Sequence, residues 1–557
     1  MIESIKQTIK NLIIDQLGYE DFVVGDSKQG DADLAIPLFG IAKQKKCAPQ
    51  VIFEAVSPVV LTYDLVDRTL FTNGFLNIYL NRQSVSKSIL HTIDQQGRHY
   101  GDLTIGLNDT VVMDYSSPNI AKSFSVGHLR STMIGNALKQ IYEKSGYRVI
   151  AVNHLGDWGT QFGKMIVAYQ KWGNKDDISK DPINELQKLY VKFHEEEKND
   201  PTLEQQARDV FRALELNDPT YMALWTYFKA ESLKEFMDMY DLLGVSFDSF
   251  AGESFYNDKM DAVVEELEEK NLLRLDEGAT IVDLGKDMPP ALIKRSDGAT
   301  LYITRDISAL LYRHQTYQFK KVLYVVGNEQ KLHFKQLKEV TDLMGYQFDI
   351  EHINFGLVLV DGKKMSTRGG KTTTLRAVIE KAIDVCKAMI EEKNPGLEDK
   401  DNVAKAVGVG AIIFNDLKNE KHLDVDFNLE NMLKFEGQTG PYLQYSSVRI
   451  KSMLRENQLN IGHVIYTPFE HDHYFDIVKL LGDFPHTIYR ALEGNQPNLI
   501  ARYLLNLAQS FNSFYGKERI LVDDQNILAT HLLLIKAIQT LLDEGLRLLG
   551  IKPLEKM

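Results

Sequence analysis

Residues 110–152 read TVVMDYSSPNIAKSFSVGHLRSTMIGNALKQIYEKSGYRVIAV, and this stretch decides the fold. Val111-Val112-Met113-Asp114-Tyr115 is an apolar run of strand length bounded by turn-forming residues. Ser116 to Ser125 reads as a loop. Beyond it Leu129, Met133, Ile134, Ala137, Leu138 and Ile141 recur at helical spacing, and Gly146 supplies a C-terminal stop. Arg148-Val149-Ile150-Ala151-Val152 is a second strand. Strand, helix and strand in that order predict a parallel sheet with a right-handed crossover.

The sheet pattern returns at Lys321–Gly327 and again near Phe355 to Val360. Between these parts, residues from about 165 to 290 are rich in charge and helix formers and predict a largely helical insertion. Upstream, Ile2, Ile5, Ile9 and Ile13 share one helical face, and Gly74 to Leu80 alternates as a half-buried strand. Lys43, Lys45 and Lys46 form a short basic run whose plain reading is a solvated face. After about residue 430 the amphipathic stretches Ile500–Phe514 and Thr530–Leu549 predict a helical bundle. The expected organisation is multidomain. It has an α+β unit over 1–108, a Rossmann-type α/β core over 109–370, a connecting helical segment over 371–430 and an all-α bundle over 431–557.

The length of 557 residues agrees with several domains. Cys47 and Cys386 belong to no CxxC pair, which argues against a disulfide scaffold or a cysteine zinc site and fits the cytoplasm. His471-Asp472-His473 lacks further spaced ligands, so no metal site and no zinc are expected. No run of 18 apolar residues predicts a membrane span, and the first 14 residues lack the pattern of a signal peptide. A net charge of −13 argues against a wholesale nucleic-acid coat but leaves room for a local basic track. No coiled-coil heptad is legible, and a monomer is expected.

Two motifs carry chemistry. Ser125-Val126-Gly127-His128 falls where the first strand and loop give way to the helix. Unpaired N–H groups there favour anions, Gly127 permits close approach, and the His128 imidazole can donate to a phosphate oxygen. Lys364-Met365-Ser366-Thr367-Arg368 stands between Gly362 and Gly369-Gly370, with Lys363 and Lys371 adding charge suited to a leaving pyrophosphate. Alone, each would fit a polar surface turn. Together they predict a site that holds ATP from both sides. The expected reaction is adenylate formation, in which a carboxylate attacks the α-phosphate and expels pyrophosphate.

With these motifs the chain resembles the class I aminoacyl-tRNA synthetases and, among them, the arginyl-tRNA synthetase family. Ser116 to Lys122 followed by Ser125 to Thr132 is similar to the family's version of the first class signature. Asn153-His154-Leu155-Gly156-Asp157-Trp158-Gly159, Tyr302-Ile303-Thr304-Arg305-Asp306, Met365-Ser366-Thr367-Arg368 and Gly440-Pro441-Tyr442-Leu443-Gln444-Tyr445 match family blocks in order. The resemblance covers essentially the whole chain. It implies activation of L-arginine with ATP and Mg²⁺, then transfer to the 3′ end of tRNA(Arg), with activation depending on bound tRNA.

The resemblance assigns Lys122, Ser125, Gly127, His128, Lys364, Met365, Ser366 and Arg368 to catalysis. Ser117, Asn119, His128 and Asn153 would hold the α-amino and α-carboxylate end of arginine. Asp306 would pair with the guanidinium, with Tyr302 one helical turn earlier and Gln330 completing the wall; a planar cation suits a carboxylate in a fork geometry. Phe75 and Asn77 of the leading unit would meet the tRNA elbow. Tyr442, Tyr445, Arg449, Tyr503, Asn506, Phe514, Tyr515 and Met557 would serve the anticodon end, where aromatic and cationic groups suit splayed bases; roughly half of these aromatics are expected in the core.

Two positions depart from the class pattern. Ser125 stands where the first signature usually opens with histidine, and Thr367 stands where the second usually has a lysine. These departures are the support for a protein that kept the fold but lost the chemistry. A class I synthetase for cysteine, glutamate or lysine is the other alternative. In the family Lys122 is implied to replace the missing cation. Lys122→Ala should then lower activation severely, and Thr367→Lys should restore part of it. Arginine-dependent pyrophosphate exchange with tRNA present measures both; near-normal exchange by Lys122→Ala removes that role.

Overall fold

The computed structural model describes residues 2–27, 32–122, 124–295, 302–360, 363–364 and 374–557, with the backbone alone at 360, 363 and 364. Four parallel strands form the central sheet, in the order Asp349–Phe355, Lys321–Gly327, Thr110–Asp114, Arg148–Val152. Val111, Val112 and Met113 have no exposed surface, as a sheet covered on both faces requires. Helix Val126–Lys144 makes the first crossover, with Leu129, Met133, Ile134, Ala137, Leu138 and Ile141 buried.

The segment near Phe355 to Val360 departs from a single strand. It divides at Gly356: Asp349–Phe355 ends in the central sheet, and Val358–Val360 belongs to a small sheet with Lys363–Lys364 and Val425–Asp426. Helices Lys175–Lys180, Pro182–Glu196, Thr202–Glu215, Pro219–Leu243 and Met260–Glu269 occupy the insertion. It also contains a feature the composition hid, the antiparallel sheet Leu273–Asp276, Ala279–Val282 and Ala291–Lys294. These strands are four residues each, too short for a period of two to stand out.

The leading unit is a four-stranded antiparallel sheet packed on helices, and Ile2, Ile5, Ile9 and Ile13 are its buried helical face. The closing part holds helices Gly440–Glu456, Asp472–Glu493, Pro497–Lys517 and Gln525–Leu548. Three parts of the chain meet at one buried cation. Lys144, on the last turn of the first crossover helix, is 3% exposed at its side chain and bonds Glu544 at 3.1 Å and Asp102 at 2.5 Å. Glu544 comes from the last helix of the bundle and Asp102 from the end of the leading unit. Removing one partner of a buried pair strands the other charge. Lys144→Met should therefore cost about 3–5 kcal/mol, visible as a lower unfolding midpoint in denaturant.

Candidate active site

Loop, helix and strand ends converge on one cavity of about 560 Å³ at the carboxyl end of the central sheet. Its walls include Ser117, Asn119, Gly127, His128, Tyr302, Asp306 and Gln330, so seven expected residues from four separate stretches come together. The loop after strand Thr110–Asp114 turns through left-handed backbone at Ser116 (φ 74°) and Ser117 (φ 46°). Such conformations cost roughly 1 kcal/mol or more each and need support. Ser131 Oγ accepts from the Ser116 N–H at 2.8 Å, Thr132 donates to Ser116 Oγ at 2.8 Å, and Tyr240 Oη lies 2.7 Å from Ser116 Oγ.

Ser125 caps the helix, and its backbone N–H donates to His128 Nδ1 at 3.1 Å. A backbone N–H can only donate, so Nδ1 carries no proton and the neutral ring bears its proton on Nε2. Burial and, behind it, the Lys122 charge push the His128 pKa down to about 4. The ring is therefore a neutral Nε2–H donor at physiological pH. Lys122 is exposed and lies close enough to act on His128, though not among the residues lining the cavity.

Helix Tyr302–Tyr317 supplies another wall. Tyr302 is exposed at the rim, and Asp306 lies one turn deeper. His333 Nε2 is 2.5 Å from Asp306 Oδ2. Burial would raise the Asp306 pKa, but the His333 hydrogen bond and charge more than offset it and hold the carboxyl below its ordinary value. Two turns beyond Asp306, Arg313 is 1% exposed and bonds Asp114 Oδ2 at 2.8 Å, while Ser117 Oγ donates to Asp114 Oδ1 at 3.0 Å. Glu253 enters from a 3₁₀ turn within the insertion and lines the same cavity. Burial pushes its pKa up to about 7, against the opposing charge of Arg305, whose Nη1 stands 3.8 Å away.

Several expectations need correction. Asn153 is fully buried, its amide donates to Tyr240 Oη at 2.8 Å, and it is not among the lining residues. It stands behind the loop instead. Asn77 is buried at 7% exposure, Tyr503 at 4% and Phe514 at 2%, so none offers a face to RNA. Asn77 sits on a central strand, paired to Ala35 and Leu70. Tyr503 and Phe514 lie on the inward stripe of helix Pro497–Lys517. Phe75 is half-buried, edge-on to Phe39 at 5.7 Å. Tyr445, Arg449 and Met557 do meet at one surface cavity, Arg449 lies 3.9 Å over the Tyr515 ring, Tyr442 is half-buried and Asn506 is exposed. Lys364 has its backbone in strand Lys363–Lys364, whereas Met365, Ser366, Thr367 and Arg368 lie outside the described residues.

Glu253, His154, Arg313 and His333 were missed. His333 could have been found, since it follows Gln330 by three residues on what becomes the same turn. Glu253 carries no local signal, because only the tertiary fold brings it to the wall.

The Glu253 environment sets a pH dependence. Below about pH 7 the carboxyl is protonated and neutral; above it the carboxylate can pair with a guanidinium. For the arginine substrate that the resemblance implies, KM should fall as pH rises from 6 to 8, by up to about tenfold, following the ionised fraction. Glu253→Gln should flatten this profile, measured by initial rates at saturating ATP and tRNA.

Comparison with known proteins agrees with this geometry. The family model described as tRNA synthetases class I (R), catalytic domain, matches residues 89–429, and the DALR anticodon binding domain matches 443–557. Arginine–tRNA ligase 1 of Bacillus thuringiensis subsp. konkukian is 48% identical over 557 residues, covering 99% of each chain. The arginine–tRNA ligase of Exiguobacterium sp. is 48% identical, covering 98% of this chain and 97% of its own. The Thermus thermophilus arginyl-tRNA synthetase structure superposes with a TM-score of 0.84 at 23% identity over all of both chains. A parallel sheet with its cavity at the strand ends, a half-buried carboxylate lining it together with a helix N-terminus, and full-length identity near one half lead to one conclusion: the chain belongs to the arginyl-tRNA synthetase family, class I aminoacyl-tRNA synthetases that ligate arginine to tRNA.

Proposed function

We propose that arginine is activated by ATP, and then passed to tRNA(Arg), in the cavity between the His128 helix and the Asp306 helix. The observation that carries this reading is that Asp306 and Glu253 line one cavity together with Gly127 and His128. Two carboxylates in a partly desolvated pocket favour a bound guanidinium and disfavour neutral side chains of similar size.

The guanidinium pairs with Asp306, displacing or sharing the contact now made by His333, while Tyr302 and Gln330 close the rim. Ser117 and Asn119 lie toward the α-amino and α-carboxylate end. The arginine carboxylate oxygen attacks the α-phosphorus and the bond to pyrophosphate breaks. His128 Nε2–H donates to phosphate oxygen as negative charge grows there, and its neutral state means no proton need be shed on ATP binding. Mg²⁺ enters as part of the ATP substrate, its charge held by phosphate oxygens. Lys122, beside the first motif, supplies the mobile cation that Thr367 does not. The terminal ribose hydroxyl of tRNA then attacks the activated carbonyl and AMP leaves.

The half-buried Phe75 of the leading unit is assigned to the tRNA elbow. The surface bearing Tyr445, Arg449, Tyr515 and Met557 is assigned to the anticodon end, where a guanidinium on a tyrosine ring leaves donors free for bases. The chain is proposed to act as a monomer in the cytoplasm.

Charging of bulk tRNA should occur with labelled arginine and not with cysteine, glutamate or lysine. Asp306→Asn should lower kcat/KM for arginine about 100- to 1,000-fold, the loss expected when a partly buried charged hydrogen bond is cut, with the KM for ATP little changed. Retention of wild-type kcat/KM by this variant would move the guanidinium site elsewhere.

A further inference from the structure

Arg130 lies two residues beyond His128 on the same helix and is 1% exposed. Its guanidinium makes three directed hydrogen bonds. Nε donates to Asp416 Oδ1 at 2.7 Å, Nη1 to the Leu423 carbonyl at 2.7 Å, and Nη2 to the Lys421 carbonyl at 3.2 Å. Asp416 balances the charge. The two carbonyls belong to the turn that feeds strand Val425–Asp426.

That turn in turn holds the strand leading to the second motif. The Lys421 carbonyl also accepts from the Gly356 N–H at 3.0 Å, and Asp424 Oδ1 accepts from the Leu357 N–H at 2.6 Å. The N–H groups of Val425 and Phe427 donate to the Leu357 and Leu359 carbonyls at 2.9 and 2.8 Å. A Cβ at Gly356 would stand 2.6 Å from the Leu423 carbonyl, so the approach tolerates no larger residue. Val358–Val360 then pairs with Lys363–Lys364. On the far side of the motif, Leu375 N–H donates to the Phe124 carbonyl at 3.0 Å and Thr374 bridges Ser125, the cap of the His128 helix. The described chain on both sides of the second motif is thus fastened to the start of one helix.

We infer that Arg130 is a positioning residue for amino-acid activation: its planar fork registers the strand entering the Lys364 motif against the helix that carries His128. The inference rests on the reading of the cavity as the adenylating site. A buried ion pair adds little net stability compared with apolar residues of the same volume, whereas five donors in a fixed plane set direction as well as distance. Arg130 itself does not line the cavity and acts through the backbone it holds.

The test is the paired variant Arg130→Met with Asp416→Leu, which removes both charges at similar volume. Its melting temperature should stay near that of the wild type, and equilibrium binding of arginine should change less than about twofold. The kcat of aminoacylation should fall about 30- to 100-fold, the scale on which small misplacements act, with a raised KM for ATP. A kcat within about threefold of wild type, or a parallel loss of arginine affinity, overturns the inference. Should the pair fail to fold, Arg130→Lys keeps a charge for Asp416 while giving up the fork; about a tenfold loss of kcat is then expected, on the same scale, and wild-type kcat overturns it. Wild-type protein that charges no arginine would refute the site reading instead. Registry would then be judged by amide exchange at 356–360, expected to quicken in the variants and overturning the inference if unchanged.

Discussion

The contact between Arg313 and Asp114 sets the geometry on which the site depends. Asp114 ends the first strand of the parallel sheet, and Arg313 stands two turns below Asp306 on the facing helix. Their 2.8 Å bond, with Arg313 buried, fixes the distance between the two walls. Burial opposes the charge on Arg313, but Asp114 beside it keeps it firmly protonated. Two of its nitrogens, Nε and Nη1, have no hydrogen-bond partner among the described residues. Such a group is costly, and its presence argues that position rather than stability is what it supplies. Ser117 leans on the other oxygen of Asp114, so the loop after the first strand and the helix that carries Asp306 share one carboxylate.

The crossover unit was legible because its signals are local. A five-residue apolar strand, a helical stripe and Gly146 at φ 87° all act within a few residues. His128 and Asp306 were legible for a different reason: the order of family blocks carried them, and periodicity alone would have left Tyr302 and Asp306 as a surface pair. The four-residue strands between Leu273 and Lys294 were not legible, since among the described residues they pair only with each other and their alternation is too short to register. Asn77 was assigned to the tRNA elbow by resemblance alone, which does not say whether its side chain is enclosed. Here the strand is central and the amide is enclosed.

The electrostatics show why total charge said so little. The chain carries a net charge of −13, yet the Lys122 charge acts on His128 beside a cavity whose lining also gathers Asp114, Glu253 and Asp306. A ligand with phosphate at one end and a cation at the other meets complementary charge along its length. Electrostatic recognition of this kind depends on placement over a few ångströms, which a sum over the chain averages away.

The buried ammonium of Lys144 has a further consequence. Because it joins the leading unit, the crossover helix and the final helix at one point, none of the three can peel away without breaking an ion pair there. A fragment cut before the bundle would lose Glu544 and uncover the flank of the helix that presents His128. The modules of this synthetase are thus welded rather than tethered, and heating should melt them in a single concerted transition.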